Sequence, residues 1–409
     1  MRMKSRWVLA GLIGVAAVLL NSCSNSSSIG SPSGTGFMWV VTDGDQKVIS
    51  YNVSLSTGAT SLVGTSQPTG LGPIAIALTP AGDALFVANR DDNTISYYSV
   101  NSDGTLPTPC PNPKPANCNT VAAGPVVGTP VALAVDPSGK FLFVANQASQ
   151  GVFPPPNTPD TVAVFSIQSG VLKPIGSFPS TGNGPSALAA SPTGNFLYVA
   201  NRFTGTVSIL SYDGTGTLTE DATSPVTVGA NPAGLSFSRC LGTTTTTTAC
   251  PAAAPPGYLF VANSGSNDIT ILSACTQVTT ACPSANGTLT PIAGSPVSAG
   301  GTVPVSFIVD PALDFVYAVN NGSFQVSQYR YSPATGLLSL LSPPTVSTGS
   351  SPLTGAMTAD GHWVFVPNNG GSSVSAYTLN PVSVTTPTGQ LAIGTAISLL
   401  GQPSAVLIR

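Results

Sequence analysis

The sequence predicts an all-β protein built from seven repeated units, and three observations predict it. Charged residues are 7% of the 409 positions, with one Glu (Glu220) and one His (His362), while Gly and Pro number 43 and 38. Helix bundles, coiled coils and most α/β enzymes use Glu, Lys and Arg freely, so this composition excludes them. A core of Leu or an aromatic followed by Val-Ala-Asn or a near variant recurs, ending at Thr42, Asn89, Asn146, Asn201, Asn263, Asn320 and Asn368. A Gly-x-x-Pro-like corner precedes a further strand seven times, at Pro73, Pro130, Pro185, Pro232, Pro304, Pro352 and Pro403. Four short strands in each unit of 47 to 62 residues make the blade of a β-propeller.

The N-terminus reads as an address. Arg2, Lys4 and Arg6 precede an apolar stretch over residues 7–20, too short to span a bilayer comfortably and the usual length of a signal-peptide core. Leu20-Asn21-Ser22-Cys23 resembles the bacterial lipobox, whose Cys is acylated after cleavage. The alternative is an ordinary secretory signal with a chance Cys. The resemblance implies a signal peptide over 1–22, a lipid anchor on Cys23 as the membrane partner and, with Ser24 next to it, the outer membrane, facing the periplasm or the cell surface. Residues 23–36 read as a flexible tether and 37–409 as the propeller. Without residues 1–22 the formal charge moves from −3 to −6, with no basic patch, so nucleic acid is excluded as a partner.

Within each unit the Val-Ala-Asn strand is followed by a short polar loop, a second alternating strand, a Gly-rich turn, a third strand and the Pro corner. Two residues past each corner Pro stand Ala75, Ala132, Ala187, Gly234, Ser306, Thr354 and Ala405, all small. Side chains alternate faces along a strand, and blades converge on the axis, so a small-residue face marks the innermost strand. The first unit lacks an inner strand, and residues 403–408 form one with no partner after it. The C-terminal strand is therefore expected to complete the N-terminal blade and close a ring of seven.

Phe86-Val87-Ala88-Asn89-Arg90 with Ile95-Ser96, the run Ser191 to Asn201, and Asp213-Gly214-Thr215-Gly216-Thr217-Leu218 carry a resemblance. Together they resemble the seven-bladed propeller lactonase family, which includes 6-phosphogluconolactonase-like and muconate-cycloisomerase-like proteins. They are also similar to propellers named for a tyrosine-valine-threonine-asparagine repeat. The resemblance covers residues 37–408 and specifies a fold far better than an activity.

Loops entering the innermost strand and leaving the second share one face, the top; the others share the bottom. Six cysteines besides Cys23 suit an oxidising compartment, and each neighbouring pair sits in one inserted bottom loop. The expected disulfides are Cys110–Cys118, Cys240–Cys250 and Cys275–Cys282. Zinc binding is the rival reading, but the spacings are not those of zinc sites and no His accompanies them, so no metal or cofactor is expected. The repeated Asn residues read as strand-end residues bonding their own turns. Asp136 and Asp310, before Pro, read as turn caps. Arg90 and Arg202 share one repeat position beside the channel mouth and, with Asn89 and Asn201, are the candidate binding residues.

Lactone hydrolysis needs a base or metal to activate water and donors for the developing oxyanion. The resemblance implies His, Arg and Glu around the channel, yet His362 falls in a bottom turn and Glu220 on an outer strand. Two functions are therefore carried. The main one is a monomeric, non-catalytic envelope propeller binding a protein, peptide or glycan through its top face. The alternative is a lactonase-like hydrolase acting on an extracytoplasmic lactone, with Arg90 and Arg202 holding an anionic group and Asp91 or Asp92 as base.

Overall fold

A computed structural model describes residues 34–107, 120–123, 128–148, 160–179, 182–238, 257–276, 285–311, 315–379 and 388–409. The described residues form seven antiparallel sheets and a single short 3-10 turn. Blade 1 is made by the inner strand Pro403–Ile408, then Thr35–Thr42, Lys47–Ser54 and the outer Thr60–Leu62. The C-terminal strand thus closes the N-terminal blade, with Val40 opposite Val406. The first strand begins at Thr35, two residues before the expected boundary. The inner strands of blades 2 to 6 are Pro73–Leu78, Thr129–Val135, Pro185–Ala190, Pro232–Phe237 and Pro304–Val309.

Each second strand is the hydrophobic centre of its blade. In blades 2, 4 and 6 these strands, Ala84–Asn89, Phe196–Asn201 and Phe315–Asn320, are buried at every position. Continuous burial on both faces is the reason these segments read as unbroken apolar runs rather than alternating ones. The small-residue face of the inner strands meets the next blade: a Cβ on Gly234 would lie 2.4 Å from the Val305 carbonyl.

Two repeated contacts hold the blades in register. At the top, the glycine of each Gly-x-x-Pro corner lies against the buried strand-end Asn of its own blade. A Cβ on Gly70, Gly182, Gly229, Gly301 or Gly349 would come within 2.1–2.7 Å of Asn89, Asn201, Asn263, Asn320 or Asn368. At the bottom, the aromatic near the start of each second strand covers a glycine in the next blade's third turn. Phe37 covers Gly104, Phe141 Gly216, Phe196 Gly287, Tyr258 Gly336 and Phe315 Gly389, and Trp363 covers Gly58 across the closure. Blade 2 has Ala84 at this position, 3.4 Å from a Cβ on Gly170.

Blade 7 departs from the pattern for a visible reason. Its second strand, Trp363–Asn368, reads Val-Pro-Asn where others read Val-Ala-Asn. The Pro367 carbonyl accepts from Leu353 N–H of the inner segment at 3.3 Å, so the N–H that Pro lacks would have pointed the same way. The inner strand shrinks to Ala356–Met357 plus an isolated bridge between Pro352 and Asn368.

Cys23, the signal peptide, Cys110, Cys118, Cys240, Cys250, Cys282 and residues 149–159 and 243–248 lie outside the described residues. Cys275 is disulfide-bonded. No helix among the described residues is long and apolar enough to cross a membrane.

Candidate functional site at the top of the channel

The pairing Pro73 with Asn89 and Asn89 with Thr94 places inner-strand entry, second-strand end and third-strand start at one end of the blade. Repeated seven times, this end is the top mouth. The residue after each second-strand end forms a ring there: Asp43, Arg90, Gln147, Arg202, Ser264, Asn321 and Asn369. The backbone N–H of Asp43, Arg90, Arg202, Ser264, Asn321 and Asn369 each donates to the carbonyl just before its corner Pro, at 2.8–3.1 Å. All seven ring residues are polar and at least half-buried. The charges fall on blades 1, 2 and 4; blades 5 to 7 contribute a hydroxyl and two amides. Outside the ring the rim carries Phe203 and Phe324, 60% and 45% exposed, and the fully exposed Leu400.

The strand-end Asn residues belong to the scaffold. Asn89 and Asn201 are fully buried. Asn89 donates to Thr94 and Ser96, both at 2.9 Å, and Asn201 to Thr206 and Ser208 at 3.2 and 2.8 Å. The same bonds to the third strand recur in blades 5 and 7, from Asn263 and Asn368. They explain the Ser that follows seven residues after Asn in the repeat. Asp136 caps its turn as expected, accepting from Phe141 N–H at 2.7 Å.

Ring side chains connect neighbouring blades in two ways. Gln147, Asn321 and Asn369 donate to the corner-Pro carbonyl of the next blade, at 2.9, 2.9 and 3.3 Å. In blades 1 and 4 the inner strand does this instead. Ser404 donates to the Pro73 carbonyl at 2.6 Å, and Ser186 to the Pro232 carbonyl at 2.7 Å. Both serines sit at the one-residue bulge that follows the corner Pro, where the register slips. A bulge re-aims a side chain, and here it turns a hydroxyl toward the neighbouring blade.

The charged groups differ sharply in how they are held. Arg90 clasps Asp91 with Nε and Nη2 at 2.7 and 3.3 Å. This bond raises the Arg90 guanidinium and holds the Asp91 carboxyl below its ordinary range. Asp92 accepts from Leu71 N–H at 2.9 Å and from the Thr94 hydroxyl at 2.7 Å, which braces the loop between blades 1 and 2. Neither Asp91 nor Asp92 is thus a free carboxylate. The Arg202 side chain has no hydrogen bond or ion pair among the described residues, and burial alone pushes its guanidinium down. Asp43, which is not among the candidates named from the sequence, is half-buried without a side-chain partner among the described residues. Burial pushes its carboxyl up, Arg90 pulls it down and Asp91 pushes it up. Its signal in the sequence was its register with Arg90 and Arg202, one residue past a strand end.

His362 lies at the bottom, 3.2 Å from Asp360, and Glu220 ends an outer strand; neither joins the mouth. No cluster of three metal-ligating side chains occurs among the described residues.

A closed ring of seven four-stranded blades defines the β-propellers as a class. The model of the lactonase family of seven-bladed β-propellers matches residues 24–123 and 116–231, just over half of the chain. The chain belongs to this family. A 6-phosphogluconolactonase of Formosa agariphila is 38% identical over 81 residues, 19% of this chain. The chain spans about a fifth of the length of that curated relative, 21%. Among solved structures, a putative 6-phosphogluconolactonase from Bacteroides fragilis superposes with TM-score 0.69 at 16% identity, covering 94% of this chain and all of that one. A periplasmic gluconolactonase from Pseudomonas aeruginosa gives 0.68 at 16% identity, covering 92% and 99%. These two share the fold. The family membership and the 6-phosphogluconolactonase relative overturn the expectation of a non-catalytic binding propeller. The absence of His and Glu from the mouth misled that expectation, because the mouth carries its charges on Asp and Arg.

Proposed function

We propose that the protein hydrolyses a lactone at the top mouth, outside the cytoplasm. The observation that carries this reading is the unpaired, half-buried Arg202 at the mouth of a lactonase-family propeller. A buried cation without a counter-charge is costly, and it becomes favourable when an anion or a developing oxyanion faces it. Arg202 supplies that charge for the carbonyl oxygen or an acidic group of the substrate. Arg90, already neutralised by Asp91, contributes positioning. The named relatives act on, or are titled for, gluconolactones, and a sugar-derived lactone is the first class to test.

The test uses the full-length protein in a pH-stat with glucono-δ-lactone, its 6-phosphate and γ-butyrolactone. Arg202→Gln is expected to lower kcat/KM by about 10²-fold, the scale of one lost oxyanion donor. If none of the three is hydrolysed above the spontaneous rate, the lactonase reading falls.

The apolar stretch at 7–20, Cys23 and the even number of cysteines besides it support an extracytoplasmic site, as does the periplasmic source of one structural relative. Lipidation at Cys23, outer-membrane anchoring and the pairs Cys110–Cys118, Cys240–Cys250 and Cys275–Cys282 are parts of the same proposal. Non-reducing peptide mapping checks the pairs; a bridge between different blades would refute them.

A further inference from the structure

Six acidic residues lie at the described top ends of the blades, and five are engaged. Asp45 is bound by Thr42 and Lys47, Asp91 by Arg90, and Asp92 by Leu71 and Thr94. Asp160 accepts the N–H of Ala148 and of Gly184, both at 2.6 Å, and Asp268 accepts from Asn263 at 2.7 Å. Asp43 alone keeps its carboxylate unspent.

The inter-blade bonds account for this. A carboxylate cannot donate to the Pro73 carbonyl that a ring amide at position 43 would hold, and another group does so. Ser404 is that group, from its bulge in the same blade. Blade 4 repeats the arrangement: Ser186 holds the Pro232 carbonyl and Arg202 is left unspent. The two blades in which a bulge serine replaces the ring side chain are thus the two whose ring residues are unpaired charges. They stand three places apart in a ring of seven, so Asp43 and Arg202 lie on nearly opposite sides of the mouth.

From this geometry, and resting on the lactonase reading, we infer that Asp43 is the general base that activates the hydrolytic water, with Ser404 as its positioning residue. Water oxygen bonds to the lactone carbonyl carbon while one of its protons passes to the Asp43 carboxylate. Collapse of the tetrahedral intermediate breaks the bond between that carbon and the ring oxygen, and Asp43 returns the proton to that oxygen. The product is the open hydroxy acid, whose own proton goes to solvent.

Asp43 acts in its ionised form, so activity rises with pH through its pKa. Burial sets the acid limb of kcat/KM above the ordinary carboxylate range. Facing it are Arg90, which lowers the limb, and Asp91, which raises it, while Asp45 and Lys47 are paired with each other. On whichever of the three lactones the wild type hydrolyses, Asp43→Asn is expected to cut kcat by about 10²–10⁴-fold with little change in KM, and to abolish the acid limb. Arg90→Gln moves the limb to higher pH and Asp91→Asn to lower pH. Ser404→Ala frees the Pro73 carbonyl to accept from protonated Asp43 and moves the limb up; Ser404→Thr restores it. An Asp43→Asn enzyme within threefold of wild type, or one that keeps the limb, overturns the assignment and leaves the lactonase reading intact. A wild type inert toward all three lactones overturns both.

Discussion

At the scale of single residues, the corner glycine and the strand-end Asn act as one unit. Asn201 is fully buried and spends its amide on two hydroxyls of the third strand. Gly182 presses against it so closely that a Cβ would sit 2.1 Å from its Cγ. Gly182→Ala is expected to cost about 1–3 kcal/mol by overpacking, read as a lowered urea midpoint with unchanged slope. Gly214→Ala, where nothing lies within 4 Å, is the neutral comparison. The two contacting positions should not add: Asn201→Ala removes the obstacle, so Gly182→Ala should cost less in that background. Additive losses would disprove the contact as the reason for the glycine. The repeat spelled this pair as Gly-x-x-Pro and Val-Ala-Asn. Their partnership was hidden, because the two lie about twenty residues apart and meet only when the blade folds.

At the scale of elements, inner strands set how firmly the mouth is held. Those of blades 1 to 6 pair along most of their length with one bulge, while that of blade 7 is reduced by Pro367. Amide exchange near residues 353–357 should therefore be faster than at Ala75 to Ala77 or Ala187 to Ala189, because fewer ladder bonds must open. Equal protection would show that Pro367 does not weaken the strand. The small residue two places past each Pro was legible from the chain. The bulge at the place between was not, since register slips leave no pattern in composition.

At the scale of the whole molecule, stability depends on closing the ring. The closure has two parts: the strand Pro403–Ile408 in blade 1, and Trp363 of blade 7 over Gly58 of blade 1, with its Nε1 donating to the Leu55 carbonyl at 2.8 Å. Deleting Pro403–Ile408 exposes a strand edge and removes the Ser404 bond to blade 2, so the truncated chain should lose its cooperative melt. Trp363→Ala should cost about 3 kcal/mol, the low end for losing a large aromatic, since the ring is only half-buried. A truncated chain melting like the intact one would refute the closure.

The seven-fold repeat, the four-strand blade, the innermost strand and the mixed closing blade were written in the sequence, because each is a local pattern of residue size and polarity repeated at one spacing. The ring position of Arg90 and Arg202 could be read for the same reason. What tertiary structure alone decided was which charges remain available. Asp91 and Asp92 look like the reactive pair in one dimension, yet Asp91 is clasped by its own neighbour Arg90, and Asp92 is held by Leu71 from the corner of its own blade. Asp43 looks unremarkable and stays free, while a serine more than 350 residues away makes the inter-blade bond that a carboxylate cannot. Hydrogen-bond partners across blades depend on how the ring closes, and no short stretch of chain contains that information.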